Sequence, residues 1–441
     1  MSSNQLIERS VASLKPYAGN ARVHSRKQIR QIAESIKRFG SNNPVLVSDD
    51  GQIVAGHGRV EAARLLGMKT VPTLALSHLS DAERRAYVLA DNKLALNAGW
   101  DSATLAIELQ GLVDLDFDVS LTGFSVAEVD LVIDEAAESS PRRRNEPEDA
   151  VPELEGGSVT RHGDLWLLGR HKLICGDARM HPDYAALLGS ERVDLVFTDP
   201  PYNVPIDRHA TGHGRYHHRD FAFAAGEMSE AQFTAFLTQA MCATASVMRD
   251  GAIAFVCMDW RHMGELLVAG RAAFTELKNL VVWNKANGGL GSFYRSKHEL
   301  VFVFKMGTAD HVNNFGLGGD GRYRTNVWDY GGTNTKSSTR ATDLEMHPTV
   351  KPVALVADAI RDCSKRGDLV LDAFGGSGST LIAAEKTGRL ARLLEIDPLY
   401  CDTIIRRWEI LTGKLATLAT TAEPFEEVAE QRLQTWTACN G

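Results

Sequence analysis

The sequence predicts an α/β chain: a doubly wound, mainly parallel sheet, preceded by a separate small α/β (α+β) domain. Three observations carry this. Apolar, β-branched runs at 173–175, 193–198, 252–257, 280–283, 300–304, 369–373 and 391–396 alternate with helical patterns, as strands buried on both faces do. One of these runs breaks into a glycine-rich turn and then a helix, the usual ligand-bearing corner of an open α/β sheet. The 441 residues, 44% hydrophobic and 24% charged, suit two or three globular domains.

The first hundred residues read as the smaller domain. Ser25-Arg26-Lys27-Gln28 fits a capping box, and Ile29, Ile32, Ala33, Ile36 and Phe39 form a helical stripe that stops at Gly40. Two short strands flank Asp49-Asp50-Gly51 as a hairpin, and the second runs into Gly56-His57-Gly58-Arg59. A helix from Arg59 to Leu66, a strand over 70–76 and a helix opened by Ser80-Asp81-Ala82-Glu83 and reaching about Asp91 complete it. The expected organisation is this domain over 1–100, a helical extension over 101–135, an acidic linker over 136–158, the large sheet over 159–415 and a tail over 416–441.

Charge is concentrated in one stretch. Residues 126–160 hold ten acids against three arginines, nearly the whole net charge of −8, so the acidic balance does not exclude a nucleic-acid partner. Polar, Pro-punctuated 136–158 lacks any apolar period and reads as a linker. Six scattered cysteines form no C-x-x-C pair, which argues for buried, reduced thiols and no metal. No apolar stretch is long enough for a membrane span and the start lacks a signal-peptide core, giving a cytoplasmic expectation.

Two motifs carry chemistry. In 369–380, Leu-Val-Leu-Asp-Ala-Phe-Gly-Gly-Ser-Gly-Ser-Thr, a buried strand opens into glycines that let a ligand approach the backbone. Glu395 closes the following strand at the distance where such folds hold ribose hydroxyls. Leu381 replaces the helix-packing glycine of a dinucleotide fingerprint, which favours a nucleoside cofactor without a diphosphate. A tight turn with no ligand is the competing account. In 194–203, a strand ends in Asp199-Pro200-Pro201-Tyr202-Asn203. Asp199 and the Pro200 carbonyl can accept from an amino group, Pro201 stiffens the turn, and Tyr202 can stack on a heterocycle, as an enzyme holding an extruded nucleobase requires. An N-capping Asp in a Pro-rich turn is the alternative.

D-P-P-Y-N followed by F-G-G-S-G-S-T resembles the β group of amino-group (N6-adenine/N4-cytosine) DNA methyltransferases, with a Rossmann-like sheet. Supporting pieces are Gly176-Asp177, Trp283-Asn284-Lys285, Ser296-Lys297-His298-Glu299, His347-Pro348-Thr349-Val350-Lys351-Pro352 and Glu395-Ile396-Asp397. The resemblance spans about 160–415 and implies site-specific, adenine-directed methylation of double-stranded DNA by S-adenosyl-L-methionine, as in restriction-modification systems. Cytosine N4 is the alternative target, and a nucleotide-switched DNA-binding protein without catalysis the alternative class. The resemblance places Asp372, Gly375, Gly376 and Gly378 at the methionine part of the cofactor, Phe374 and Ser377 also on the cofactor, Glu395 at the ribose and Asp177 at the adenosine. His347, Thr349 and Lys351 fall opposite, with Lys351 neutralising the cofactor carboxylate. A homodimer is compatible with it, and no membrane is implied.

Basic Arg208, Arg215 and Arg219, with His209, His213, His217 and His218, follow the D-P-P-Y turn, and Arg322 and Arg324 lie in 305–346. The first group suits a DNA-contacting loop; the H-x3-H-x3-H spacing suggests a metal only on a helix, which Gly212 and Gly214 oppose. The segment 305–346 is the candidate target-recognition region. The N-terminal domain resembles the ParB amino-terminal, sulfiredoxin-related domain through Asn20-Ala21-Arg22, Ser35-Ile36 and Gly56-His57-Gly58-Arg59. Amides at that helix start, with the Arg59 guanidinium, make an anion site for a nucleotide or DNA phosphate; an unoccupied docking module is the alternative. No helix-turn-helix pattern is evident after it.

Overall fold

The computed structural model describes residues 6–115, 117–138, 157–204, 226–285, 294–315, 324–330 and 350–440. The chain divides into two units, Met1–Ser139 and Ser140–Gly441.

In the first unit, α1 (Arg26–Phe39) starts where the Ser25 side chain accepts from Gln28 N at 3.1 Å and stops at Gly40, φ +87°. β2 (Val45–Val47) and β3 (Ile53–Ala55) pair antiparallel through a turn at Gly51, φ +80°. β1 (Leu6–Ser10), which has no clear pattern in the sequence, pairs antiparallel with β4 (Thr70–Ala75), and the sheet order is β1-β4-β2-β3. Val11, Leu14, Val45, Val47, Ile53, Val60, Ala63 and Val71 form its core, with α2 (His57–Leu65) supplying Val60 and Ala63. α3 opens with the expected capping box but runs over Asp81–Asn97, beyond Asp91. Beyond it come α4 (Ser102–Asp114), a short 3-10 turn (Val119–Thr122) and α5 (Val126–Glu138).

Among its described residues, the second unit holds one ten-stranded sheet. Its strands are β5 (Leu165–Leu168), β6 (His171–Cys175), β7 (Val193–Thr198), β8 (Met248–Met258), β9 (Glu276–Asn284), β10 (His298–Lys305), β11 (Val327–Asp329), β12 (Leu369–Asp372), β13 (Leu390–Glu395) and β14 (Thr417–Leu418). The order is β11-β9-β10-β8-β7-β12-β13-β6-β5-β14. The central five, β8-β7-β12-β13-β6, are parallel; β10 runs antiparallel to both its neighbours. The sheet is doubly wound because its strands are apolar on both faces. Leu195, Val370 and Leu393 pack on one side with α9 (Val353–Cys363), α10 (Ser379–Thr387) and α11 (Pro398–Thr412); Val196, Leu371 and Leu394 pack on the other with α6 (His181–Leu188) and α7 (Glu230–Val247). Beside α7 lies α8 (Met263–Ala273).

The expected tail at 416–441 is corrected. β14 pairs with β5, and α12 (Phe425–Asn440) buries Phe425, Val428 and Ala429 in the main core, Phe425 meeting Trp166 edge-on at 5.3 Å. Cys175, Cys257, Cys363 and Cys401 are buried and, with half-buried Cys242, free. Among the described residues no helix is long and apolar enough to cross a membrane.

Candidate active site

Parallel strands β6, β13, β12 and β7 bring Asp177, Glu395, Asp372 and Asp199 to one edge of the sheet, each at or just after its strand's carboxyl end. Thr198 ties two of these ends together, its hydroxyl donating to Asp372 Oδ1 at 2.9 Å.

The D-P-P-Y turn is built around shared charges. The Tyr202 hydroxyl donates to Asp199 Oδ1 at 2.6 Å, and Lys351 Nζ lies 2.5 Å from Asp199 Oδ2 and 3.0 Å from Glu299 Oε2. Lys285 holds the other oxygen of Glu299. Burial raises the Asp199 carboxyl above its ordinary value, and Lys351 pulls against that rise. Glu299 is buried too, but two ammoniums, Lys351 and Lys285, hold it down to about 2. Burial opposes the charge of Lys351, yet Asp199 and Glu299 outweigh it and raise its pKa, so the ammonium persists. Asn203 adopts φ +53°, and its side chain donates to Met228 O at 2.8 Å while accepting from Gly226 N and Met228 N. A short amide tolerates that backbone and pins the turn.

The glycine loop rests on its carboxylates. Asp372 accepts from Thr198, from Phe374 N at 3.1 Å and from Thr380 Oγ1 at 2.6 Å; burial raises its pKa to about 7. Glu395 accepts from Gly376 N at 2.7 Å and Asp397 N at 2.9 Å, and burial likewise raises it to about 7. Gly378, φ +84°, caps α10; a Cβ there would stand 3.1 Å from Ile404, and one at Gly375 3.1 Å from the same side chain and 3.3 Å from Leu394 O. A side chain at either position would press on α11, and at Gly378 the positive φ adds to that, so packing as well as room for a ligand favours glycine here. Ser377 is held through its carbonyl by Arg407 at 2.9 Å, and Phe374 packs 6.2 Å from Phe236. A carboxylate-rich edge with anchored acceptors fits a cofactor bearing ribose hydroxyls and a sulfonium cation.

Several expected roles change. Lys351, expected at the cofactor carboxylate, stands in the acid cluster of the D-P-P-Y turn, because Asp199 and Glu299 converge on its ammonium. Arg324, expected on DNA, is 17% exposed and bound to Asp362 Oδ2 at 3.0 Å and the Tyr330 hydroxyl at 2.9 Å, over the Trp328 ring. It fastens the 324–330 segment to α9. Asp177 is taken up bidentately by Arg179 at 2.6 and 3.0 Å. Arg208, Arg215, Arg219, Arg322, His347 and Thr349 lie outside the described residues. In the first unit, Arg59 folds back across Gly56, φ +100°, and donates to Pro44 O at 2.8 Å; His57 Nε2 accepts from Tyr17 N at 3.2 Å, and Gly58 abuts His24. Lys285, Glu299, Thr198, Thr380 and Asn203 received no role from sequence; only the W-N-K and S-K-H-E runs hinted at the first two.

Comparison with known proteins gives three family matches: a DNA methylase of the N6/N4 class over 193–406, a ParB-methyltransferase HTH domain over 103–162 and a ParB N-terminal domain over 1–93. The chain is 49% identical over 81 residues to the ParB-like nuclease domain-containing protein YnaK of Escherichia coli K12, covering 18% of this chain and 93% of that protein. It is 25% identical over 250 residues to the DNA adenine methyltransferase YhdJ of the same organism, covering 50% of this chain and 78% of that one. Among solved structures, the cytosine-N4-specific PvuII DNA methyltransferase matches with TM-score 0.42 at 14% identity, over 63% of this chain and 94% of its own. The M1.HpyAVI–SAM complex matches with TM-score 0.39 at 19% identity, over 53% and 97%. The absence of a helix-turn-helix after the first domain is thus corrected: α4, the 3-10 turn and α5 fall within that match. The chain carries an amino-group (N6/N4) DNA methylase domain, with a ParB N-terminal domain and a ParB-methyltransferase helix-turn-helix domain ahead of it.

Proposed function

We propose that the chain methylates the N6 amine of an adenine extruded from double-stranded DNA, with S-adenosyl-L-methionine as methyl donor. The observation that carries this is the acceptor set at the end of β7, beside the Asp372 and Glu395 strand ends. Adenine is favoured by an Asp at the head of D-P-P-Y and by the relative named a DNA adenine methyltransferase.

Asp199 and the Pro200 carbonyl accept the two amine N–H groups, Pro201 fixes the turn and the Tyr202 ring stacks on the base. Accepting from both N–H groups draws the nitrogen lone pair out of the ring, so the amine becomes the nucleophile. When bound, the cofactor would supply a methyl from its sulfonium, the N–C bond forming as the S–C bond breaks to leave a neutral thioether, and the amine proton would pass to solvent afterwards. Positioning for in-line attack supplies the larger share of catalysis, about 7–11 kcal/mol where geometry is ideal. Glu395 holds the ribose, and the loop 374–378 over Asp372 encloses the methionine part. His347 and Thr349 are assigned to the cofactor, and Arg208, Arg215, Arg219 and Arg322 to DNA, together with the helix-turn-helix. The anion site at Gly56, His57, Gly58 and Arg59 takes a nucleotide or DNA phosphate.

Base-resolution mapping of modifications in DNA from a methylation-free host expressing the chain tests this reading. N6-methyladenine in one sequence context is expected; N4-methylcytosine would move the assignment to cytosine, and unmodified DNA would sink it. Asp199→Ala should abolish the mark while S-adenosylmethionine binding, measured by calorimetry, stays nearly intact. Lost cofactor binding in a folded variant would refute the role of Asp199.

A further inference from the structure

Lys351 stands where the two functional loops meet. Its carbonyl accepts from the Ser379 hydroxyl at 2.8 Å, in the first turn of α10 after the glycine loop. Its ammonium, on a side chain only 6% exposed, reaches Asp199 at 2.5 Å, Glu299 at 3.0 Å and the Tyr202 hydroxyl at 3.3 Å. Three acceptors therefore occupy the three N–H donors of the ammonium. The rings of Tyr202 and Trp283 lie 5.5 and 5.9 Å away. Asp199, Lys351, Glu299 and Lys285 form one alternating chain of charges, drawn from the β7 turn, the residues before α9, β10 and the end of β9. Among the described residues, Tyr202, Cys257 of β8 and Asp372 of β12 also face this chain as titratable groups.

We infer that Lys351 is a positioning residue for methyl transfer: it keeps Asp199 ionised and aimed as the acceptor of the substrate amine, and Glu299 competes with Asp199 for it. The inference rests on the proposed role of Asp199. A carboxyl at this depth turns neutral without a counter-charge, and the neutral acid would offer the amine a donor in place of one acceptor. Glu299, held by Lys285 as well, anchors the ammonium between the acids. The link through Ser379 ties that placement to the cofactor loop.

The arrangement makes two variants act with opposite sign. The full-length protein, saturated with S-adenosylmethionine and a DNA duplex, is followed in single turnovers from about pH 5 to 9. Lys351→Met should move the acidic limb of the rate upward by about 1–3 units, and Lys351→Arg should restore it. Glu299→Gln, which removes a negative neighbour of Asp199 and leaves it a larger share of Lys351, should move the limb downward. Cofactor affinity by calorimetry should be unchanged in both. Where Lys351→Met fails to fold, Glu299→Gln decides: a lowered limb supports the inference and an unmoved or raised one overturns it. An unmoved limb in folded Lys351→Met, or lost cofactor affinity without a shift, overturns it as well. A wild-type chain that methylates no DNA overturns the reading of the function beneath it, whereas an active wild type with unmoved limbs overturns the inference alone.

Discussion

Among the described residues, two helices, α2 and α10, start from a left-handed glycine, and the two corners are charged in opposite ways. Gly56, φ +100°, precedes α2 under the folded-back guanidinium of Arg59, with His57 and His24 beside it. Gly378, φ +84°, precedes α10 over Asp372 and Glu395, which hold the preceding loop from the ends of neighbouring strands. The amides of a helix start favour an anion in both places. What surrounds them differs: the Arg59 guanidinium stands at the first corner, where it would meet the proposed phosphate, and buried carboxylates stand at the second, where they would meet the proposed ribose hydroxyls and sulfonium. A glycine before a helix thus marks a close approach, and the side chains of the neighbouring elements name its ligand.

The largest effect that sharpens this contrast is expected at Gly378. Alanine there would carry an unfavourable φ and press on Ile404 at 3.1 Å. A loss of about 2–4 kcal/mol from the second unit is expected, read by denaturant unfolding, with S-adenosylmethionine binding falling alongside. Unchanged stability would show that α11 yields, and that the loop is looser than its packing implies.

Glu395→Gln should act next. Burial raises this carboxyl from 4.5 to about 7, so the folded state binds the proton more tightly than the unfolded chain. The stabilisation from this group is full below about pH 4.5 and disappears as pH rises through about 7; Gln should flatten that decline in a pH series of thermal unfolding. Cofactor affinity should run the other way in the wild type, strengthening through pH 7 as an ionised Glu395 accepts the ribose hydroxyls. The variant should bind about tenfold or more weakly at pH 8 and lose that pH dependence. A wild-type affinity that is flat with pH would remove Glu395 from the ribose.

What the sequence reveals follows the range of the interactions. The buried strands are legible because burial on both faces leaves unbroken apolar runs, and Asp199, Asp372 and Glu395 are legible because each ends such a run. Glu299 and Lys285 are not, since only the antiparallel register of β9 with β10, pairing Trp283 with Glu299, brings them to the acid. Arg324 misleads for the same reason: Asp358 and Asp362, one turn apart on α9, draw it onto the protein. The helix-turn-helix escapes because α4 lacks a sharp apolar stripe, with only Ala106 and Leu109 buried.

The smallest effect is expected at Arg59, and it breaks the contrast most directly. Its guanidinium donates to Pro44 O at 2.8 Å and is half-buried, and burial lowers its pKa from the ordinary value. Part of its contribution is therefore structural: Arg59→Ala should cost the first unit about 0.5–1.5 kcal/mol for that hydrogen bond. If the cation also completes a phosphate site, two further readouts separate the source. A labelled nucleoside triphosphate that binds the wild type and not the variant would place a nucleotide at this corner. Weaker DNA binding with a flatter salt slope and an unchanged methylated sequence would place the DNA backbone there instead. Arg59→Lys should keep part of either ligand's binding through its charge, while losing the fork that spans Pro44 and a phosphate together. A variant that loses stability but binds both ligands as the wild type does would make Arg59 a strut for the helix start, and the opposition between the two corners would no longer extend to their ligands.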